Sequence, residues 1–276
     1  MKKKKILFIS QEISPYLEQS ELADFGRHLP QGIQEGGREI RTFMPKFGCI
    51  NERRNQLHEV IRLSGMNLII NDNDHPLIIK VGSIQAARMQ VYFIDSEDFF
   101  QRKATFHDQE TGKFFKDNDE RMIFFTRGVL ETVKKLGWVP DIIHCHGWMT
   151  SLVPLYIKTS YKKEPIFENA KVIFSLYNND FKTSLNKNFA QKAMMENISE
   201  EAMADYADTT FIGLNKAAIN ASDAVIKASE KINPELEAYF QSVDKPKLGY
   251  QDPENYIEVY SEFYDEILLS TGVLQD

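Results

Sequence analysis

Short, continuously apolar runs alternate with amphipathic stretches along this chain. The run Lys5-Ile6-Leu7-Phe8-Ile9-Ser10 is bounded by polar residues, the pattern of a strand buried on both faces of a parallel sheet. Leu22, Ala23, Phe25, Gly26 and Leu29 then recur at helical spacing, and Gly36-Gly37 stops that helix before a second strand, Glu39 to Met44. This is a βαβ opening. The strand signature returns at Val91 to Ile94, Asp141 to His144, Lys171 to Ser175 and Asp223 to Lys227. Between residues 48 and 90, Leu63, Leu68, Ile69, Ile70 and Leu77-Ile78-Ile79 predict antiparallel strands added at an edge. Met122, Phe125, Val129, Leu130 and Val133 share one stripe, which predicts a helix over Asn118 to Leu136 closed by Gly137. After Pro234 and a short helix, the polar residues 241–255 read as a linker. From residue 256 onward, Ile257, Tyr260, Tyr264, Ile267 and Leu268 recur at helical spacing again.

The expected architecture is α/β: a doubly wound, Rossmann-like parallel sheet over residues 1–240, the linker 241–255, and a helix over 256–276 packing back on the domain. Ligands of such sheets sit at the carboxyl ends of the strands.

Composition narrows the function classes. A hydrophobic content of 42% over 276 residues supports a sizeable core. The net charge of −7 argues against nucleic acid or an anionic membrane as a partner. Cys49 and Cys145 lie far apart and in no metal-ligand pattern, so they read as reduced thiols of a cytoplasmic protein. The apolar run after Lys2 to Lys5 is too short for an export signal, and no run approaches the ~18 apolar residues of a membrane span. No cofactor or metal is expected. His144 and His146 read as pointing to opposite sides of a strand, which argues against a metal shared between them.

Several motifs carry a family resemblance. Glu12-Ile13-Ser14-Pro15-Tyr16 through Leu22-Ala23-Asp24 resembles the first loop and helix of glycogen and starch synthases, whose pattern runs E-x-A-P-[FY]-x-K-x-G-G-L-A-D. Met44 to Gly48, Val91 to Asp95, Asp117 to Arg121 and Asn215 to Ile219 follow in the family's order. Pro140 through Thr150 is similar to the family's P-D-[IV]-[IV]-H-x-H-D-W-H-T. The resemblance covers roughly residues 4 to 236. It implies the N-terminal, acceptor-side half of a two-domain (GT-B type) retaining glucosyltransferase, whose full members use ADP-glucose or UDP-glucose to extend an α-1,4-glucan.

The departures fall on positions that the family uses for chemistry. Glu18 stands where the resemblance implies a lysine against the donor diphosphate, and Ser20 and Glu21 replace the glycines beside it. Exchanging a cation for a carboxylate ~4 Å from a phosphate reverses a term of ~4 kcal/mol at an effective dielectric of ~20. Gly147 replaces an aspartate expected to bind sugar hydroxyls, Met149 replaces a histidine, and Tyr177 stands in place of the imidazole expected beside the transferred glucose. The chain also encodes no second Rossmann domain between Phe240 and Asn255, and Tyr256 to Leu268 resembles the terminal helix that crosses back in full enzymes.

Glu12, Tyr16, Asp24, His146, Trp148 and Asn178 are the candidate residual sugar-binding residues, with Arg121 beside them. Each has a structural alternative. His146 reads equally as a packed strand-end histidine, Asp24 and Arg121 as helix-end electrostatics or ion pairing, and Asn178-Asn179-Asp180 as a turn. Tyr16, Trp148 and Tyr177 are expected to be exposed near the cleft, there to stack on a sugar or to fill core. The expected function is a non-catalytic relative that binds α-glucan, such as glycogen or a maltooligosaccharide, or a protein partner in glycogen metabolism. The alternatives are an active ADP-glucose-dependent transferase completed by a separate second domain or a dimer, and a structural remnant with a new interaction surface.

Overall fold

The structure is a computed structural model in which residues 3–270 are described. In chain order the elements are β1 (Lys5–Ser10), α1 (Glu21–Glu35), β2 (Glu39–Pro45), β3 (His58–Glu59), β4 (Met66–Ile70), β5 (Asn73–Ile84), β6 (Met89–Asp95), α2 (Asn118–Leu136) and β7 (Ile142–His146). Then follow α3 (Val153–Lys158), β8 (Lys171–Leu176), α4 (Phe189–Ala193), α5 (Glu200–Ala204), α6 (Phe211–Ala221), β9 (Ala224–Lys227), α7 (Pro234–Ser242), β10 (Lys247–Leu248) and α8 (Tyr256–Leu269).

The sheet runs β10-β9-β8-β7-β1-β2-β6-β5-β3, with β4 paired to β5. Every pair from β10 through β6 is parallel, whereas β3, β4 and β6 all pair antiparallel with β5. The chain winds outward from β1 first toward β6, then restarts at β7 and winds the other way. The carboxyl ends of β1 and β7 are therefore the switch point of the sheet, where the ligand crevice of this architecture lies.

Alternation along the strands divides the core in two. Leu7, Ile9, Ile143 and Cys145 face the larger cluster, into which α2, α3 and α6 pack. Ile6, Phe8, Ile142, Ile173 and Ile226 face a second cluster, closed by Leu29 and Ile33 of α1 and by Tyr260, Phe263, Tyr264, Ile267 and Leu268 of α8. Removing such side chains from water stabilises the fold by ~1.5–3 kcal/mol each. Arg38 fixes α8 in place, donating to Ser261 Oγ (2.6 Å), the Ser261 carbonyl (2.9 Å) and Asp265 Oδ2 (2.8 Å). Of the helix expected over 256–276, residues 271–276 lie outside the described residues.

Residues 241–255 are more than a linker, because β10 extends the sheet in parallel register with Val225 and Ile226 of β9. Two lysines hold it. Lys245 Nζ donates to the carbonyls of Ile219 (2.6 Å), Asn220 (3.1 Å) and Ser222 (2.7 Å), at the end of α6. Lys247 Nζ does the same for Gln241 (2.6 Å) at the end of α7. Both satisfy carbonyls that a helix terminus leaves without partners. Among the described residues, no helix is long and apolar enough to cross a membrane.

Candidate functional site

The loops that leave β1, β7, β8 and β9 at their carboxyl ends meet over the crevice. The first enters α1, whose start is set by Ser20: its hydroxyl accepts the Ala23 amide (3.0 Å) and donates to Glu12 Oε2 (2.7 Å). Glu21 and Asp24 lie in the first turn and offset the positive end of the helix dipole. Asp24 accepts from Gln19 Nε2 (3.1 Å), and the Glu21 carboxylate accepts from the Ser229 hydroxyl after β9. Ser229 Oγ in turn accepts the Asn178 amide after β8 (2.9 Å). One serine therefore joins three loops. Glu18 is exposed at the rim. Among the described residues none of Glu12, Glu18, Glu21 and Asp24 pairs with a cation, so this end of α1 is a carboxylate surface.

Gly147, at the end of β7, holds φ +89° and ψ 159°. A Cβ there would meet Gln11 Oε1 at 2.5 Å. Gln11 thus fills the space a side chain at 147 would occupy, and its Oε1 accepts the Met149 amide (3.2 Å). No motif marks Gln11, since its role depends on an absent side chain at the end of another strand. Ser229 is equally unmarked, because a lone serine after a strand carries no motif.

His144 and His146 share a face, contrary to the expectation of opposite sides. Residues i and i+2 of a strand point the same way, and the two rings lie 3.9 Å apart, packed with Phe8. His144 Nδ1 meets Tyr264 OH of α8 (2.6 Å) and its Nε2 meets Ser175 Oγ (2.7 Å). His146 Nδ1 meets Tyr177 OH (2.7 Å), while its Nε2 has no hydrogen-bond partner among the described residues. Burial pushes the His146 imidazole down to about 3, and burial together with the neighbouring His146 holds His144 well below the ordinary histidine range. Both are neutral at physiological pH. Among the described residues no three potential ligands cluster as a metal site.

The aromatic candidates are buried, not exposed. Tyr177 is 2% exposed, and desolvation raises its hydroxyl well above the ordinary tyrosine value. Trp148 is wedged among Phe106 (4.9 Å), Phe114 (5.9 Å) and Phe181 (4.9 Å). Tyr16 packs edge-on against Phe93 (4.8 Å). Their burial comes from residues distant in sequence, which single-motif reading does not see. Arg121 is fully buried and, among the described residues, forms no ion pair: it donates to the carbonyls of Phe99 (2.9 Å) and Thr105 (2.6 Å) and to Asn118 Oδ1 (2.7 Å). Burial first, then the nearby Arg102, brings its guanidinium down to about 9. It props the loop before α2. Asn178 is exposed, and the Asn179 Nδ2 beside it has no hydrogen-bond partner among the described residues.

A cleft of about 440 Å³ lies between the outer flank of α1 and the segment leading into α8. Phe25, Tyr250 and Tyr256 give it ring surface, and Glu21, Asp24 and Gln251 line it with acceptors and an amide. Aromatic faces with carboxylates and amides are the side-chain chemistry that sugar rings and hydroxyls call for.

The chain is similar to glycogen synthases along most of its length. It is 35% identical over 237 residues to the glycogen synthase of Pelodictyon phaeoclathratiforme, covering 85% of this chain and 48% of that protein. It is 36% identical over 248 residues to that of Chlorobaculum tepidum, covering 89% and 49%. The chain thus spans about half the length of these relatives. Among solved structures, the catalytic domain of starch synthase IV from Arabidopsis thaliana, bound to ADP and acarbose, matches with a TM-score of 0.74 at 20% identity, covering 91% of this chain and 52% of that one. That likeness speaks for the fold. Residues 5–245 match the family described as the starch synthase catalytic domain, and to that family this chain belongs.

Proposed function

We propose that this chain is a non-catalytic, cytoplasmic member of its family that binds α-glucan. The observation that carries the non-catalytic reading is the closure of the crevice by the chain's own side chains. Glu21, Ser229 and Asn178 link three loops, Gln11 occupies the space beside Gly147, and Tyr177 is buried against His146. Transfer from a nucleotide sugar is accelerated by groups aimed at the charge that develops in the transition state. Here the phosphate-facing end of α1 presents carboxylates, and a diphosphate brought there meets like charge.

Glucan binding rests on the aromatic and carboxylate cleft between α1 and α8, since a neutral sugar meets no electrostatic penalty from Glu21 and Asp24. The starch synthase IV domain is bound to ADP and acarbose; this chain keeps a carbohydrate ligand and gives up the nucleotide. The two free cysteines, Cys49 and Cys145, support a reducing compartment.

Purified protein is expected to co-sediment with glycogen and to release heat with maltooligosaccharides, yet to incorporate no label from ADP-glucose. Incorporation by the chain alone overturns the non-catalytic reading. Incorporation only after a second polypeptide is added identifies a split transferase instead. Absence of any glucan binding removes the carbohydrate half and leaves a protein partner in glycogen metabolism as the target.

A further inference from the structure

A separate cleft, of about 700 Å³, opens between residues 107–116 and the loop 180–186. The first segment follows β6 and the second follows β8, so the cleft lies at the same carboxyl edge of the sheet as Gly147 but shares no lining residue with the α1–α8 cleft. Its charge is of the opposite kind. Lys113, Lys116 and Lys182 line it, all three are exposed, and none has a carboxylate within ion-pair distance among the described residues. Asp180, the acid of the lining, accepts from Asn233 Nδ2 (3.0 Å).

The floor is aromatic and braced from below. Phe114 stacks on Phe181 with ring centroids 4.9 Å apart and planes 17° from parallel, and Phe181 rests edge-on against buried Trp148 at 4.9 Å. Thr183 and Ser184 bring hydroxyls to the wall. The three ammonium groups outnumber Asp180 of the lining and Asp108, which interacts electrostatically with Lys113 in the same segment, and the local excess of positive charge attracts anions.

A phosphate monoester carries a charge of about −1.5 to −2 at neutral pH and strong acceptor oxygens. Lysine ammonium groups serve it as point charges, and a phenyl face suits the C–H face of a sugar ring. We propose that the cleft between residues 107–116 and 180–186 binds a phosphorylated sugar, either a free hexose phosphate or a phosphate ester carried on a glucan. The lysines take the phosphate, and the Phe114–Phe181 pair supports the ring. The site is independent of the α1–α8 cleft, so it stands or falls apart from binding of neutral glucan.

The test is calorimetric titration of the full chain with glucose 6-phosphate, glucose and inorganic phosphate at low and high salt, alongside the variant Lys113→Met/Lys182→Met. Glucose 6-phosphate is expected to bind about tenfold or more tightly than either fragment. Its affinity should fall as salt screens the lysines and fall by about tenfold or more in the double variant, while co-sedimentation with neutral glycogen is unchanged. A phosphorylated maltodextrin binding more tightly than its dephosphorylated form assigns the ester on a glucan as a ligand; equal binding of the two forms, with glucose 6-phosphate still bound, assigns the free sugar phosphate. No binding of glucose 6-phosphate, equal affinity for inorganic phosphate, or undiminished affinity in the double variant overturns the proposal.

Discussion

Gly147 and Gln11 form a matched pair. The backbone at 147, with φ +89° and ψ 159°, is one that side-chain-bearing residues adopt only at a cost of about 1–3 kcal/mol. Overpacking against Gln11 adds a similar amount. Gly147→Ala is therefore expected to lower the unfolding free energy by about 2 kcal/mol or more in urea titrations. Adding Gln11→Ala removes the clash but not the strain, so the double variant should recover about 1 kcal/mol relative to the sum of the single effects. Strictly additive losses would mean that Gln11 does not fill that space. On the proposed non-catalytic reading, Gly147→Asp alone is expected to leave the chain without transfer activity, because the new side chain would enter the space that Gln11 fills.

The two buried histidines give the residue scale a pH signature. His146 is brought down to about 3 by burial, and His144 is pushed down by burial and by His146. The groups facing them are neutral: Tyr177, Tyr264 and Ser175 hydroxyls and the Phe8 and Tyr260 rings. In the unfolded chain each histidine titrates near ~6.5. Below that value the unfolded state takes up protons that the folded state refuses, so stability is fully present above it and declines as pH falls toward the folded value. The decline is at most about 1.4 kcal/mol per pH unit for each histidine. Urea midpoints should drop between pH 7 and pH 5, less steeply in His146→Gln, and a flat profile over that interval would show that the pair is not buried and neutral.

At the scale of elements, α8 belongs to the core. Phe263→Ala is expected to cost about 3–5 kcal/mol, because the side chain is buried in the cluster with Phe8 and Ile142. Tyr264→Phe keeps the packing but leaves His144 Nδ1 without its partner, a loss of about 1–3 kcal/mol. Equal midpoints for wild type and both variants would place the helix outside the cooperative unit. Much of this level was legible beforehand. The span of α2 followed from its apolar stripe and from Gly137, which adopts the left-handed conformation (φ 62°) that ends the helix. The parallel strands followed from apolar runs, and the helical spacing of Ile257 through Leu268 foretold α8. What stayed hidden depends on contacts between segments. Two residues of β10 carry no period, and the lysines that hold it act through carbonyls on α6 and α7. The position of Tyr177 after β8 is legible in its motif, but its burial depends on His146 and Phe25 from elsewhere in the chain.

For the molecule as a whole, the two faces of the sheet differ in how they are covered. The larger cluster is closed by helices that follow the strands locally, α2, α3 and α6 among them. The second is closed by α1 and by α8, which reaches back across β1, β7, β8 and β9 from the far end of the described chain. Stopping the chain after Asn255 would leave Ile6, Phe8, Ile142, Ile173 and Ile226 with α1 as their remaining cover, and would also free Arg38 of its three contacts on α8. An apolar surface of that extent is an aggregation liability in water. The shortened chain is therefore expected to associate at micromolar concentration and to bind a hydrophobic dye in proportion to the uncovered face. Supplying a peptide of residues 256–270 should restore dispersity, since the described apolar side chains of α8 in the second cluster and the three acceptors of Arg38 lie within that span. A shortened chain that stays monomeric with an unchanged unfolding midpoint would mean that α1 alone suffices, and that the second cluster contributes little to the stability of the fold.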